Sequence, residues 1–389
     1  MTETLETPAL TKSHLHETHV RLGATMSERD GWLVPANYGD VLLEYAAVRE
    51  GGAGLIDLSS RGRILVSGTE AIQFLNGLIT NDMKTLAVGS WMLAAFPNVQ
   101  GRLIASVRVV RLEDGETGSG KNACPTFLID TEAATHGRVL NTIERFTLAG
   151  DFRVTDITGQ TALISVQGRK AIDTVGAVFG EGAASLGVNR AMSTQIAFPG
   201  EITGEATQQV TIVRGSHTAE NGFDVIVDAK QADALWGALQ GAGARPVGYD
   251  PLEILRIEAG LPRYSLDMDE TNVVTEALDD AVSYTKGCYI GQEIIARIKY
   301  RGHVAKKLSG ILFCGSAKIF AGAVIKSEDG KEIGRVTSAV YSPHLGRTIA
   351  LAFLKYDYTT PDTSVVVAGG AEEVPGMVAE LPFVKRNLE

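Results

Sequence analysis

Cysteine is scarce in this chain: Cys124, Cys288 and Cys314 are the only three in 389 residues, and no two form a Cys-x-x-Cys pair. Zinc and iron–sulfur sites need clustered soft ligands, so no ready-made centre of that kind is encoded. An odd number of separated cysteines points to free thiols in a reducing compartment. Also missing is any apolar run near the roughly 18 residues of a membrane-spanning helix. The start, Met1-Thr2-Glu3-Thr4-Leu5-Glu6, is acidic and lacks the basic-then-apolar order of a signal peptide. Positive charge is in deficit, with 36 Lys and Arg against 46 Asp and Glu and a net charge of −10. That balance argues against general binding to nucleic acid or to an anionic membrane. The expectation is a cytoplasmic protein without membrane partners.

What remains is the composition of an ordinary globular protein, 44% hydrophobic and 21% charged. The length allows two or three domains, and 43 glycines predict many turns and considerable β structure. Residues 1–12 read as a flexible tail, followed by a helix-like segment from His14 to Met26. His16 and His19 could share a helix face, but no carboxylate or cysteine partner set accompanies them, so they read as surface histidines and no metal site is expected. A strand is expected over Gly62–Val66. Ser67 and Glu70 then form a capping box for a helix burying Ile72, Leu75 and Ile79. A similar unit recurs as strand Thr161–Val166, Gly168, and a helix carrying Ile172, Val175 and Phe179, which suggests related subdomains.

Between these units, Trp91–Phe96 and Arg102–Leu112 read as antiparallel strands joined by Asn98-Val99-Gln100-Gly101. Glu113–Pro125 is polar and glycine-rich, a mobile loop by pattern. Phe127–Asp130 returns as a strand, Glu132–Leu148 as a helix, and Val210–Arg214 with Phe223–Val227 as a further strand pair. Asp250-Pro251-Leu252-Glu253 is a helix start with Asp as N-cap and Pro in the first turn, and Gly260 ends that helix. Five short β segments between Leu308 and Val367, with Asp329-Gly330 as a hairpin turn, predict a separate C-terminal β-barrel.

The densest local pattern is Lys286-Gly287-Cys288-Tyr289-Ile290-Gly291-Gln292-Glu293, followed by Ile294, Ile295 and Ile298 at helical spacing. Lys286 and a helix start close to Cys288 would both favour thiolate over thiol, and the glycines allow a sharp turn. A small apolar cysteine buried in a turn is the plain alternative. The octet resembles the K-G-C-[YF]-x-G-Q-E signature of YgfZ-type folate-binding proteins, linked to maintenance of iron–sulfur enzymes. The segments His19–Ala24, Gly31-Trp32 with Pro35, and Val48-Arg49 through Ser59 resemble N-terminal motifs of the broader glycine-cleavage T-protein family. Gly334–Ser338 with Ser342-Pro343 resembles that family's C-terminal domain. The resemblance implies an α+β fold. A folate-binding domain of two intertwined α+β subdomains would span residues 14–302, and a β-barrel residues 303–389.

It also implies a pocket for tetrahydrofolate or a one-carbon derivative. A carboxylate can take the pterin amino group and ring N–H together. By resemblance to a T-G-E-x-G-[YF]-E motif, Glu220 in Thr218-Ala219-Glu220-Asn221-Gly222-Phe223-Asp224 takes that role, although Ala219 and Asp224 depart from the motif. Arg256, in Leu255-Arg256-Ile257-Glu258-Ala259-Gly260, would face the folate, whose dianionic tail suits a guanidinium. Asn98 and Tyr264 are further expected contacts. The basic run Arg297, Lys299, Arg301, His303, Lys306, Lys307 is either a solvated face or a site for a glutamate tail or acidic partner.

One departure bears on function. Family T-proteins carry consecutive aspartates where alignment from Asn98 places Ala105 and Ser106, and neither of these can serve as a general base. The expected function is therefore a tetrahydrofolate-binding accessory protein supporting assembly or repair of iron–sulfur client proteins, with Cys288 as a redox or transfer residue. The alternative is a folate-dependent aminomethyltransferase or methyltransferase with an altered acid set. A third reading is a pure folate-binding or sensing module in which Cys288 is structural.

Overall fold

Gly54–Asp57 and Gly62–Ser67 are separated only by a tight turn, in which Arg61 N donates to Leu58 O at 3.0 Å, yet they enter different sheets. In this computed structural model, which describes residues 9–116, 123–145, 147, 150–197, 208–369 and 372–385, that split organises the first two thirds of the chain. A six-stranded sheet runs Ala191–Ile196, Gln208–Arg214, Gly222–Asp228, Thr161–Gln167, Gly54–Asp57, Arg245–Pro246. The chain leaves it after Asp57 to build a five-stranded sheet: Arg153–Asp156, Gly62–Ser67, Thr126–Thr131, Leu103–Arg111, Ser90–Pro97. It then returns at Thr161. The two α+β subdomains are thus intertwined, as expected, and the fold is α+β with a C-terminal barrel.

Each sheet buries one face under helices. Ala171–Phe179 and Ala232–Gly241 cover the six-stranded sheet, with Val175, Leu235 and Trp236 in its core. Ala71–Leu78 and His136–Glu144 cover the other through Leu75, Val139 and Ile143. The suspected repeat has a physical signature. Gly68 (φ 135°) and Gly168 (φ 131°) hold the same left-handed turn between strand and helix. A Cβ on either would lie 2.0 Å from Asp151 O or 2.6 Å from Gly52 O, so only glycine fits.

Several local expectations are corrected. The segment from His14 is helical only over His16–Arg21, and Thr25–Arg29 is a strand. Thr11–Lys12 pairs with Trp32–Leu33, so the tail is ordered there, while residues 1–8 of it and 117–122 of the expected mobile loop lie outside the described residues. His19 is no surface histidine: it is fully buried, with Nε2 2.9 Å from Asp57 Oδ2 and Nδ1 2.8 Å from the Tyr38 hydroxyl. The capping box at Ser67 does not form, because Glu70 instead accepts from Asp151 N at 2.8 Å. Asp250 is not an N-cap either; the helix runs Tyr249–Glu258 from Gly248, and the Asp250 carboxylate accepts from Asn37 Nδ2 at 3.0 Å.

The barrel closes in the order Lys306–Phe313, Arg347–Lys355, Glu332–Ser342, Val324–Lys326, Ser364–Ala368, Glu373–Ala379. Its last strand escaped the sequence reading because Pro375 and Gly376 interrupt the pattern, yet it pairs with both neighbours. Among the described residues no helix is long and apolar enough to cross a membrane.

The Tyr249–Glu258 helix joins barrel and sheets through buried charge. Arg49 Nη1 donates to Glu220 Oε1 at 2.7 Å and Nη2 to Glu258 Oε2 at 2.6 Å, while Glu258 Oε1 accepts from Tyr45 at 2.8 Å and from Ser342 of the barrel at 2.5 Å. Removing one partner leaves uncompensated buried charge. Arg49→Ala is expected to cost about 3–5 kcal/mol in urea-monitored unfolding. Lys326→Ala, which breaks the exposed pair with Glu373, should cost less than about 1 kcal/mol. Equal costs would show that the buried pair is not a structural linchpin.

Candidate functional site

A cleft of about 230 Å³ opens where the two sheets and the Tyr249–Glu258 helix meet. Strand alternation decides what it sees. On Leu103–Arg111, Ala105 points into the core of the five-stranded sheet, whereas Ser106 and Arg108 line the cleft. The end of Thr126–Thr131 adds Asp130 and Glu132, and the hairpin after Arg214 adds Gly215, Ser216 and His217. Trp91, Leu93, Val188, Leu252 and Leu278 supply apolar wall. Six arginines line it: Arg29, Arg61, Arg108, Arg214, Arg256 and Arg263.

The charged wall is a chain of pairs. Arg61 Nε donates to Asp130 Oδ1 at 2.7 Å, and Arg108 Nη2 lies 2.8 Å from Asp130 Oδ2 and 2.5 Å from Asp224 Oδ2. The Arg108 guanidinium also sits over the Trp91 ring, 5.5 Å from its centroid. His217 Nε2 donates to the same Asp224, at 2.9 Å from Oδ2 and 3.2 Å from Oδ1. Burial acts to raise the Asp224 carboxyl, but His217 and Arg108 outweigh it and hold the group far below the usual carboxylate range. Asp130 is likewise depressed: burial opposes ionisation, and Arg61 and Arg108 overcome it. Buried Gln167 fixes the hairpin, its Oε1 accepting from His217 N at 3.0 Å. Ala219, in the place of the motif glycine, takes φ 66° all the same, a strain of about 1–2 kcal/mol for a residue with a Cβ.

The expected site residues are not all brought together. Arg256 lines the cleft, but its donors are committed to Glu253, Leu261 O (3.0 Å), Asp267 (2.6 Å) and Ser338 (2.7 Å). Glu220 lies outside the cleft wall, 2% exposed, in the pair with Arg49. Tyr264 is buried away from the cleft, its hydroxyl accepting from Arg138 at 2.8 Å. Asn98 shapes its own turn, with Oδ1 accepting from Gln100 N at 2.8 Å and Arg102 N at 3.0 Å.

The octet docks elsewhere. Lys286 Nζ donates to the carbonyls of Asn76 (2.8 Å), Ile79 (2.8 Å) and Asn81 (2.7 Å), at the end of the Ala71–Leu78 helix. Burial pulls its ammonium down to about 8, with Asp82 acting the other way. Tyr289 is buried in the core beside the barrel. Gly291 (φ 76°) meets Asn98 O so closely that a Cβ would lie 2.4 Å from it. The helix begins at Gln292, four residues past Cys288, and Gln292 Nε2 reaches back to Lys286 O at 3.5 Å, while Glu293 and Gly287 are exposed. Cys288 is exposed, so it is not a buried packing residue, while the Lys286 ammonium is bound by three carbonyls. In the basic run, Lys299 pairs with Asp279 (3.3 Å), Lys306 with Glu276 (3.8 Å), and His303 stacks on Tyr356.

Sequence reasoning missed Arg61, Arg108, Asp130 and His217, which come from four separate stretches. The one available signal was His217, a lone histidine ahead of the turn motif.

Residues 15–286 match the GCVT N-terminal domain and residues 306–385 the glycine cleavage T-protein C-terminal barrel domain. The chain belongs to the glycine cleavage T-protein family. It is 32% identical over 376 residues to an aminomethyltransferase of Thermus thermophilus, covering 96% of this chain and 99% of that protein. It is 30% identical over 382 residues to one of Thermotoga maritima, covering 97% and 98%. The crystal structure of glycine cleavage system aminomethyltransferase T from Bartonella henselae shares the fold, with a TM-score of 0.85 at 23% identity over 97% of this chain and 99% of that one.

A depressed carboxyl such as Asp224 contributes stability that is complete above the unfolded-state value of about 4 and is lost as pH falls through its native value. Asp224→Asn should therefore flatten the acid limb of stability below about pH 4, by up to about 1.4 kcal/mol per pH unit, in urea titrations at stepped pH. An unchanged slope would remove Asp224 from the ionised network.

Proposed function

We propose that the cleft binds tetrahydrofolate or a one-carbon derivative and that the protein is a folate-dependent transferase of the aminomethyltransferase type. The cleft wall carries this reading. An apolar strip of Trp91, Leu93 and Leu252 offers a face for a flat ring, and its arginines suit a dianionic tail. End-to-end similarity to proteins named aminomethyltransferase supports the transfer chemistry. The absence of an acid at positions 105 and 106 weighs less than expected, because His217 lines the same space. Folate recognition moves with the wall, from Glu220 to groups that face the cleft. Calorimetry with tetrahydrofolate should show binding by the wild type, at least tenfold weaker binding by Ser106→Tyr, which fills the cleft, and affinity within threefold for Glu220→Gln. The reverse ranking would place the folate elsewhere.

A second reading is favoured by the exposed thiol in the octet: a YgfZ-type folate-binding accessory protein for iron–sulfur client proteins, acting through Cys288. It predicts that Cys288→Ser keeps its fold and folate affinity but fails to restore iron–sulfur enzyme activity in a cell lacking the native protein. Full complementation would leave Cys288 with no thiol role.

A further inference from the structure

We propose that His217 is the residue that carries the proton during group transfer, in the role left open by Ala105 and Ser106; this rests on the transferase reading above. An ionised carboxylate only accepts hydrogen bonds, so the proton between His217 Nε2 and Asp224 sits on Nε2, at 2.9 Å from Oδ2. Nδ1 is then the nitrogen that exchanges a proton, holding the lone pair in the neutral ring and the transferable N–H in the charged one. Among the described residues Nδ1 has no hydrogen-bond partner, and the side chain is 22% exposed and lines the cleft. The ring is held from behind by Asp224, which is itself fully buried and bound by Arg108, and its backbone is held by Gln167. A base oriented by a buried carboxylate is the arrangement that proton transfer needs.

The other titratable groups of the cleft are committed. Asp130 and Glu132 are paired with Arg61, Glu253 with Arg256, and Asp30 with Arg263. Burial pushes the Tyr249 hydroxyl up to about 12, and it bonds Ser60 at 3.0 Å. In the transfer, an acceptor N–H attacks the aminomethyl carbon. The new N–C bond forms as the bond from that carbon to its leaving group breaks, the bonding pair departing with the leaving group. The proton shed by the nitrogen passes to Nδ1 and from there to the leaving group. The step is redox-neutral and needs no further reactant.

The test assays tetrahydrofolate and an aminomethylated lipoyl carrier protein with wild type, His217→Ala and His217→Gln. Loss of a positioned proton carrier lowers kcat about 100-fold or more. Both variants should show that loss with tetrahydrofolate affinity within threefold by calorimetry, and added imidazole should restore His217→Ala at least tenfold. Wild-type turnover with His217→Ala kcat within threefold, or a loss confined to KM that imidazole does not restore, overturns the inference and leaves the transferase reading standing. A wild type that binds tetrahydrofolate and does not turn over overturns both.

Discussion

A guanidinium buried between two carboxylates is costly to desolvate, and the fold around Arg49 exists to satisfy it. Arg49 and Tyr45 stand one turn apart on the Val41–Arg49 helix, so both reach Glu258 from one face. Glu258 lies on the helix that contacts the barrel, where Ser342 completes its shell. Glu220, the third partner, lies in the hairpin that presents His217. One charge centre therefore fixes a helix, a hairpin and a barrel strand together. Arg256 repeats the device one side of the helix away, tying Glu253 and Asp267 to Ser338 of the same barrel strand. Cleft geometry depends on these seams because the cleft walls are the elements they join.

The octet serves the 98–101 turn and the end of the Ala71–Leu78 helix. Three carbonyls left open where the Ala71–Leu78 helix ends are filled by one ammonium, that of Lys286. Gly291 allows the chain to press onto the 98–101 turn, where Ile294 and Ile295 pack against Gly101. Much of the specificity in that string of residues is accounted for by docking: the lysine, one glycine and the tyrosine all have structural tasks. Cys288 stands apart from them, exposed at the surface.

Elements whose signals are local were legible in the sequence. The strand–glycine–helix units, the hairpin at 98–101 and the barrel turn at Asp329-Gly330 were readable because backbone conformation there is set within a few residues, and Gly330 does adopt φ 82°. Caps were less readable. Ser67 with Glu70 and Asp250 with Glu253 have the right spacing, but Asp151 and Asn37, distant in sequence, compete for the acids. The site was least readable of all. Glu220 and Arg256 are charged residues in recognisable strings, and strings do not reveal whether a charge is spent on a buried pair or faces a cavity. That distinction rests on Arg49 and Asp267, 171 and 11 residues away.

The charge balance of the wall explains why serine suits position 106. Asp130 and Asp224 are buried and ionised, held by Arg61 and Arg108, and Arg61 also pairs with Glu132. A third carboxylate on the cleft face of the same strand, two residues from Arg108, would sit beside two anions that already share Arg61 and Arg108. Its own ionised form would then be disfavoured by like charge. An imidazole adds no further negative charge to that wall, yet it can accept and return a proton. The acid missing from the strand and the histidine present in the hairpin are thus two sides of one electrostatic arrangement, set by the decision to bury Asp224 against Arg108.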